Sequence, residues 1–448
     1  MDNVLARKLS FSSLLVFALP NIIMMISLSM YIIIDGMFVS RLIGTTALSA
    51  VNMFYPAICF EMAVAIMLAT GGSAIIARKM GEGNLQEARG TFSFLIAVEL
   101  AIGIAIALFG NLLVNEILSF LGATSVQAPL SIPYARVIFA FAPAFFLQTA
   151  FQTFFVTAGK PALGLCVTVL AGVTNIVLDY IFMAPLHMGI AGAAIATGIG
   201  YCIPAAVGMI YFLTRKNYLH FVGVRFERSV LLKACGNGSS EMVTNLANAV
   251  TTLLFNYTLL QYYGEDGVAS ITIILYFQYI FTALYFGYSN GIAPIISYKF
   301  GNNDTAQLHC IFKSSLVFLL IAALVANSLL LLTIKDALTI FTPAYSSVYE
   351  ITLHGFMRYS LAFGVMGLGI FASAMFTAFS DGRTSAIISF SRTFIFLIAM
   401  ICILPHFLGE AGVWIAVPVA EMLGGIVAAC YLILKNDEFS YFPKLNKL

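Results

Sequence analysis

The sequence predicts an all-α integral membrane protein with twelve transmembrane helices in two six-helix lobes, related by a pseudo-two-fold axis along the membrane normal. Three observations predict this fold class: a composition suited to lipid, twelve apolar segments, and an internal repeat. Of the 448 residues, 61% are hydrophobic and only 9% are charged, whereas a soluble domain has about 25% charged residues. So few charges could not cover the surface of a soluble protein of this length, which excludes that class.

Twelve apolar segments are bounded by Gly, Pro or charged residues, and each approaches the length of about 20 residues that a helix needs to cross a bilayer. The first segment follows Arg7 and Lys8. It is longer than the apolar core of a signal peptide, so we expect it to remain as a membrane span. The segments lie at 12–37, 52–77, 92–114, 133–158, 162–183, 190–213, 239–262, 270–296, 312–333, 353–378, 384–404 and 411–434.

The basic residues are unevenly divided between the two sides of the membrane. The termini and the even-numbered loops hold 17 Lys and Arg residues, whereas the odd-numbered loops hold only Arg41 and Lys335. Cytoplasmic loops are enriched in basic residues, so we expect both termini in the cytoplasm and the chain in the cytoplasmic (inner) membrane. The net charge of +2 leaves no basic surface large enough to bind nucleic acid.

The chain repeats itself at an offset of 220 residues. Because each half contains an even number of spans, the two halves have the same orientation in the membrane. The repeat predicts an N-terminal lobe at 1–213, a cytoplasmic inter-lobe loop at 214–238 and a C-terminal lobe at 239–448. The segments that match are 44–51 with 264–271, 71–81 with 291–301, and 185–196 with 405–416.

The repeat also sorts the polar residues inside the spans, where a charge is costly and needs a reason. Four polar residues of the N-terminal lobe have apolar equivalents in the C-terminal lobe, and they lie near one depth, together with Tyr134. Carboxylate, amide and hydroxyl oxygens suit a proton or a hard cation such as Na⁺, so we predict a cation or proton site. Its residues are Asp35, Asn175, Asp179 and Thr197.

An alternative is that Asp35 or Asp179 only forms a structural ion pair with Arg136. The other charged pair, Arg392 and Glu421, lies at similar distances on the two sides of the 405–410 turn. In an antiparallel hairpin these two residues meet near the middle of the membrane, which favours a structural ion pair.

A second group of residues could line a substrate cavity. Aromatic faces attract organic cations, and methionine side chains adapt to varied shapes, although lipid-facing packing also explains such residues. The candidates are Glu61, Glu241, Tyr257, Tyr276, Phe281, Met24 and Met53. Pro20 removes one hydrogen bond from the first helix and so favours a bend there.

The sequence lacks the motifs of several other classes. It has no phosphate-binding loop for ATP, no hydrolase or zinc-protease pattern and no channel filter motif. The seven cysteines show no CxxC or Cys/His spacing. We therefore expect neither an enzyme nor a bound cofactor or structural metal.

The motifs resemble those of the multidrug and toxic compound extrusion (MATE) family of antiporters, and they look closer to its DinF-like and MepA-like branch than to its NorM-like branch. The resemblance implies export of organic cations and amphipathic compounds in exchange for H⁺ or Na⁺. It places the coupling site on Asp35, Asn175, Asp179, Thr197 and Tyr134, and the helix bend at Pro20. The motifs are IDGMFVSRLIG in span 1, GGSAIIARKMGEGN from Gly71, and NIVLDYIF from Asn175.

Two alternative functions remain open at this point. A flippase for lipid-linked precursors, from the same superfamily, would need basic residues in its cavity, and only three arginines lie within the spans. A membrane protein without a transport cycle would need a reactive group of residues or a soluble module. For the antiporter we expect a monomer surrounded by lipid, with small cationic or amphipathic molecules as its partners.

Overall fold

The computed structural model describes residues 4–122, 127–339 and 341–442, and this part of the chain is predominantly helical. Eleven of its helices are long and apolar enough to cross a membrane. One of these, Arg228–Gly301, contains the non-helical residue Gly264 (φ 62°, ψ −145°) and therefore consists of two spans. The described residues thus contain twelve spans, and the predicted all-α membrane fold is confirmed.

The described residues of the first half form six long α-helices and one short one. The short helix α4 follows α3 and begins at the last residue of the predicted span 92–114. The bounds are α1 Phe11–Leu42, α2 Thr45–Gly81, α3 Leu85–Leu112, α4 Val114–Phe120, α5 Ala128–Thr157, α6 Pro161–Met183 and α7 Gly189–Leu213.

The second half begins with α8, which starts well before the expected residue 239. The predicted span 353–378 is divided at Ser360, and a π-helical segment, Ser391–Phe396, lies between α12 and α13. The bounds are α8 Arg228–Gly301, α9 Thr305–Leu338, α10 Ser347–Tyr359, α11 Leu361–Ala378, α12 Gly382–Phe390, α13 Leu397–Leu408, α14 Glu410–Leu434 and α15 Asn436–Phe439.

Glycines at equivalent positions of the repeat form the tight turns between helices. Gly189 and Gly409 have φ values of 60° and 58°. Gly189 is the first residue of α7, and Gly409 directly precedes α14. Gly264 lies at the repeat position of Gly44, which also has a positive φ. Because only glycine adopts these angles at little cost, the turn geometry explains why these residues match between the halves.

The two halves of the chain meet through α2 and α8. We call the membrane side at which α1 begins and α2 ends the terminal side. There, a methyl group on Gly81 would collide with the carbonyl oxygen of Tyr298, and one on Gly301 would collide with that of Arg78. Arg78 and Tyr298 are also equivalent in the repeat, so this contact, which we call the glycine contact, lies on the pseudo-two-fold axis.

Hydrogen bonds between the halves lie in the same half of the membrane or at its edge. Asn21, directly after Pro20, donates from Nδ2 to the carbonyl oxygen of Gly287 at 2.6 Å, and α1 continues as a helix through Pro20. The backbone N–H of Leu9 donates to Gln307 Oε1 at 2.8 Å. The lobes are thus held together on the terminal side.

Candidate cation site in the N-terminal lobe

Four helices of the first half bring the predicted polar residues together. Asp35 lies on α1, Tyr134 on α5, Asp179 on α6 and Thr197 on α7. Asp179 is four residues from the end of α6, or about 6 Å at 1.5 Å per residue, and its exposed fraction is 0%. The carboxyl groups of Asp35 and Asp179 face each other closely enough to interact directly.

Oxygen acceptors outnumber donors at this site. Asn175 donates from Nδ2 to Thr197 Oγ1 at 3.3 Å. Among the described residues, Asp35 Oδ1, Asn175 Oδ1 and both carboxylate oxygens of Asp179 are buried without a hydrogen-bond partner. An ionised carboxylate only accepts hydrogen bonds, so two facing carboxylates require a proton or a cation between them. These buried oxygen atoms are therefore suitable ligands for H⁺ or Na⁺.

Arg136 does not provide that positive charge. Its side chain is exposed, and the ion pairs described for the protein include neither Asp35 nor Asp179. The charge interactions of the two carboxyl groups are with each other rather than with a basic residue. The structure therefore does not support the alternative of a structural ion pair with Arg136.

Tyrosines surround the carboxyl pair, and two of them were not predicted. Tyr31 interacts with the side chain of Thr197 and with Asp35, and Tyr201 interacts with Tyr31 and Asp35. The predicted Tyr134 packs edge-on against Phe54, with ring centroids 6.0 Å apart. Helical spacing would have indicated these two tyrosines, because Tyr31 precedes Asp35 by one turn and Tyr201 follows Thr197 by one turn.

A cavity of about 230 Å³ reaches Asn175 of the cation site and the neighbouring Tyr31 and Tyr201. Its polar lining includes Gln152, whose Nε2 donates to Thr168 Oγ1 at 2.9 Å. A cavity with several polar partners can hold water, so this cavity can bring water to Asn175. The residues that line it include Tyr31, Asn175, Tyr201, Gln148, Gln152 and Thr168.

The residues predicted for a substrate cavity are dispersed rather than gathered. Met24 is buried and lies 3.8 Å from where a side chain on Gly164 would begin. Phe281 is also buried and stacks on Phe363, with centroids 4.3 Å apart. Both side chains therefore contribute to packing in this conformation. Met53 is half-buried on α2.

The remaining candidates lie in different surroundings. Tyr257 is 68% exposed, and Tyr276 lines an open groove of about 840 Å³ together with Glu265 and Asp266. Glu61 is buried on α2 and interacts with Tyr134 and Tyr201 of the cation site. Glu241 is buried on α8, near Arg392.

Arg392 and Glu421 form a buried ion pair in the second half of the chain. Arg392 Nη1 lies 3.1 Å from Glu421 Oε1 and 3.3 Å from Oε2. Gly369 and Gly424 leave room for the arginine, since a methyl group on either would contact its side chain at 2.9 Å or 2.7 Å. Arg392 belongs to the π-helical segment and also interacts with Glu241.

Comparison with known proteins provides evidence that is independent of the geometry of the site. A family model described as MatE matches residues 20–181 and 241–403. The chain is 22% identical over 433 residues to the multidrug export protein MepA of Staphylococcus saprophyticus, covering 96% of this chain and 95% of that protein. It is 23% identical over 435 residues to MepA of Staphylococcus aureus, covering 96% and 95%.

The fold has a counterpart among solved structures. The outward-facing structure of a multidrug resistance MATE family transporter of the MOP superfamily aligns with a TM-score of 0.92 at 22% identity. The alignment covers 98% of this chain and 99% of that one. At this level of identity the likeness concerns the fold, including its two lobes.

Proposed function

Since the chain belongs to the MatE family, we propose that it is a secondary antiporter that exports multiple drugs, chiefly organic cations and amphipathic compounds, in exchange for H⁺ or Na⁺. The relatives named multidrug export protein extend over almost the whole chain, which supports this substrate class. The family is one of transporters rather than enzymes, and transport of this kind requires no cofactor.

The observation that carries the proposal is the pair Asp35 and Asp179. Two carboxyl groups face each other in a membrane-embedded lobe, and their charge interactions involve no basic side chain. Such a pair binds a proton or Na⁺ and releases it when its surroundings change. Asn175 and Thr197 add neutral oxygens that fit Na⁺, so both ions suit the same residues.

Coupling requires that the ion and the drug prefer different states of the protein. Binding of the ion at the pair neutralises charge between α1 and α6 and favours the conformation that releases the drug. Pro20 lies next to Asn21, which bonds to the other half of the chain. A bend of α1 at Pro20 would therefore connect ion binding to the contact between the lobes.

We further propose the orientation and the domain organisation. The excess of basic residues in the termini and even-numbered loops supports cytoplasmic termini in a multi-pass protein of the cytoplasmic membrane. The lobes correspond to 1–213 and 239–448, with an inter-lobe segment at 214–238 whose last part is helical. We also propose that the protein functions as a monomer.

The flippase alternative fits the structure less well. It requires accessible basic residues to bind a lipid-linked pyrophosphate, but Glu421 neutralises the buried Arg392. Arg136 is exposed and lies apart from the interactions of the carboxyl pair. Acidic rather than basic groups dominate the described part of the N-terminal site.

The test uses purified protein in liposomes loaded with ethidium, with a proton gradient or a Na⁺ gradient imposed separately. The proposal predicts that at least one inward gradient drives ethidium out and that dissipating this gradient stops the efflux. Efflux that is indifferent to both gradients would contradict antiport. Movement of lipid-linked pyrophosphates without ethidium efflux would favour the flippase.

A further inference from the structure

Glu61 has a carboxyl group that the cation site described above does not use. It lies on α2 with an exposed fraction of 4%. Its Oε1 is buried without a hydrogen-bond partner among the described residues, and Glu61 takes part in none of the ion pairs described there. An unpaired carboxylate inside a membrane protein is unfavourable, so Glu61 needs a proton or an added cation.

Two tyrosines connect Glu61 with the carboxyl pair. Tyr134 and Tyr201 each interact electrostatically with Glu61 and also with Asp35. The cluster therefore contains three carboxyl groups, Asp35, Asp179 and Glu61, and their interactions include no basic side chain. Asp35 and Asp179 interact directly with each other, whereas Glu61 is connected to them through the tyrosines and is unfavourable as an anion because it is buried.

The other helices that pack against α2 add no positive partner to these interactions. α1 carries Tyr31 and Asp35, α3 carries Glu99, and α8 carries Glu241 and Tyr279. The basic residues of these three helices lie near the helix ends, and they are Arg41, Arg89, Arg228, Lys233 and Lys299. Arg136 of α5 is exposed. The interactions described for Glu61 are therefore with phenolic groups.

The surroundings of Glu61 suit a proton better than Na⁺. Sodium binding needs several oxygen ligands arranged around the ion, and the interactions described for Glu61 are with the phenol groups of Tyr134 and Tyr201. A single carboxyl group between two tyrosines can instead hold one proton. The pair, with Asn175 and Thr197 beside it, offers the richer set of oxygens.

The fold itself does not need a carboxyl group at this position. The repeat equivalent of Glu61 is Phe281 on α8, which stacks on Phe363 in the other half. On α2, Cys59 interacts with Tyr279 of α8, its own repeat equivalent. Glu61, two residues later, lies on the opposite face of α2. It is therefore turned towards the cation site rather than towards the lobe interface.

We propose that Glu61 is a second coupling group, which binds a proton separately from the ion at Asp35 and Asp179 and releases it when a cationic substrate binds. This inference rests on the proposed antiport function. It deepens that function, because substrate binding then displaces one more positive charge than the pair alone would release.

The experiment counts protons released when tetraphenylphosphonium binds, using calorimetry of the purified protein in Na⁺-free buffers of different ionisation enthalpy. This fixed cation neither gives nor takes a proton, so the count belongs to the protein. We expect Glu61→Gln to release about one proton fewer than the wild type. Glu99→Gln, which removes another buried carboxyl group of the same lobe, is the matched control and should leave the count unchanged.

Three outcomes would overturn the inference. The count could stay the same in Glu61→Gln, it could fall equally in Glu99→Gln, or the wild type alone could release only about one proton per bound cation. The wild-type proton count needs no variant, so it tests the proposal even where Glu61→Gln does not fold. Proton release by a protein that fails to exchange ethidium in liposomes would contradict the antiport function and leave Glu61 as a proton site.

Discussion

Asp35 and Asp179 come from α1 and α6 and turn their carboxyl groups towards each other, with no ion pair to a basic residue in the described part of the chain. Repulsion between the two carboxylates makes the ion-free state unfavourable, so the pair favours binding of a proton or Na⁺. The glycine contact on the terminal side lies away from this carboxyl pair, and α1 connects the two regions.

The hydroxyl of Thr197 is expected to support ion binding. Thr197→Val keeps the size of the side chain but removes the oxygen that accepts from Asn175 at 3.3 Å. Because an unmade buried hydrogen bond costs about 1–3 kcal/mol, we expect the ion concentration for half-maximal exchange to rise about fivefold or more. Ion titrations of exchange in liposomes measure this change.

Thr333→Val provides the control for that substitution. Thr333 is exposed on α9, and its hydroxyl donates to the carbonyl oxygen of Leu329 in the same helix at 2.9 Å. Its loss should leave the ion dependence unchanged. An unaltered ion dependence in Thr197→Val would show that the hydroxyl contributes nothing to the site.

Removal of Arg392 is expected to destabilise the protein. Arg392→Ala leaves Glu421 and the neighbouring Glu241 buried without their positive charge, and breaking a buried ion pair costs about 3–5 kcal/mol. We expect a lower yield of folded protein and a lower thermal unfolding midpoint, as measured by the monodisperse fraction after heating.

A double substitution tests whether this loss comes from the pair. Replacing Arg392 and Glu421 together by Met removes both charges and should recover most of the stability, since an apolar pair of similar size replaces a buried ion pair well. The surface pair of Lys435 and Glu438 is the control, and Glu438→Gln, which leaves Lys435 paired with Asp381, should change the midpoint little. A double variant as unstable as Arg392→Ala would contradict the pairing argument.

The glycine contact is expected to control closure of the terminal side. Gly81→Ala places a methyl group against the carbonyl oxygen of Tyr298, so the lobes should separate there. Spin labels at the exposed, repeat-equivalent positions Gln86 and Ala306 would report a longer distance in this variant. Gly90→Ala, where the added methyl meets open space, should keep the wild-type distance, and equal distances in all three proteins would reject the idea.

Membrane orientation yields a separate prediction. A single cysteine introduced at Arg225 in a cysteine-free chain should react with a membrane-impermeant maleimide only after the cytoplasmic face becomes accessible. A single cysteine at Lys335 should react in intact cells. The reverse pattern would show that the termini lie outside.

The spans and the carboxyl pair could be predicted from sequence because both depend on contrast with apolar surroundings. Asp35 and Asp179 stand out within apolar segments, and the 220-residue repeat shows that the other lobe lacks them. Tyr31 and Tyr201 were missed because tyrosine is unremarkable in a membrane span, and only its one-turn spacing from a site residue marks it.

The substrate-cavity residues could not be placed from sequence. An apolar span has little amphipathic contrast, so its pattern does not tell a face packed against another helix from one that lines a space. Met24 and Phe281 accordingly lie in packed surroundings, whereas Tyr257 is exposed. The early start of α8 at Arg228 was also missed, because polar and basic residues continue through its first turns.

The most direct test of the central claim is ion-driven ethidium exchange by Asp35→Asn and Asp179→Asn in liposomes, beside the wild type and Glu99→Gln. Each Asn variant removes one charge of the pair and keeps nearly the same shape. We expect both Asn variants to fold and to lose efflux driven by the imposed H⁺ or Na⁺ gradient, whereas Glu99→Gln should remain coupled. Gradient-driven efflux at the wild-type rate in both Asn variants would contradict the central claim.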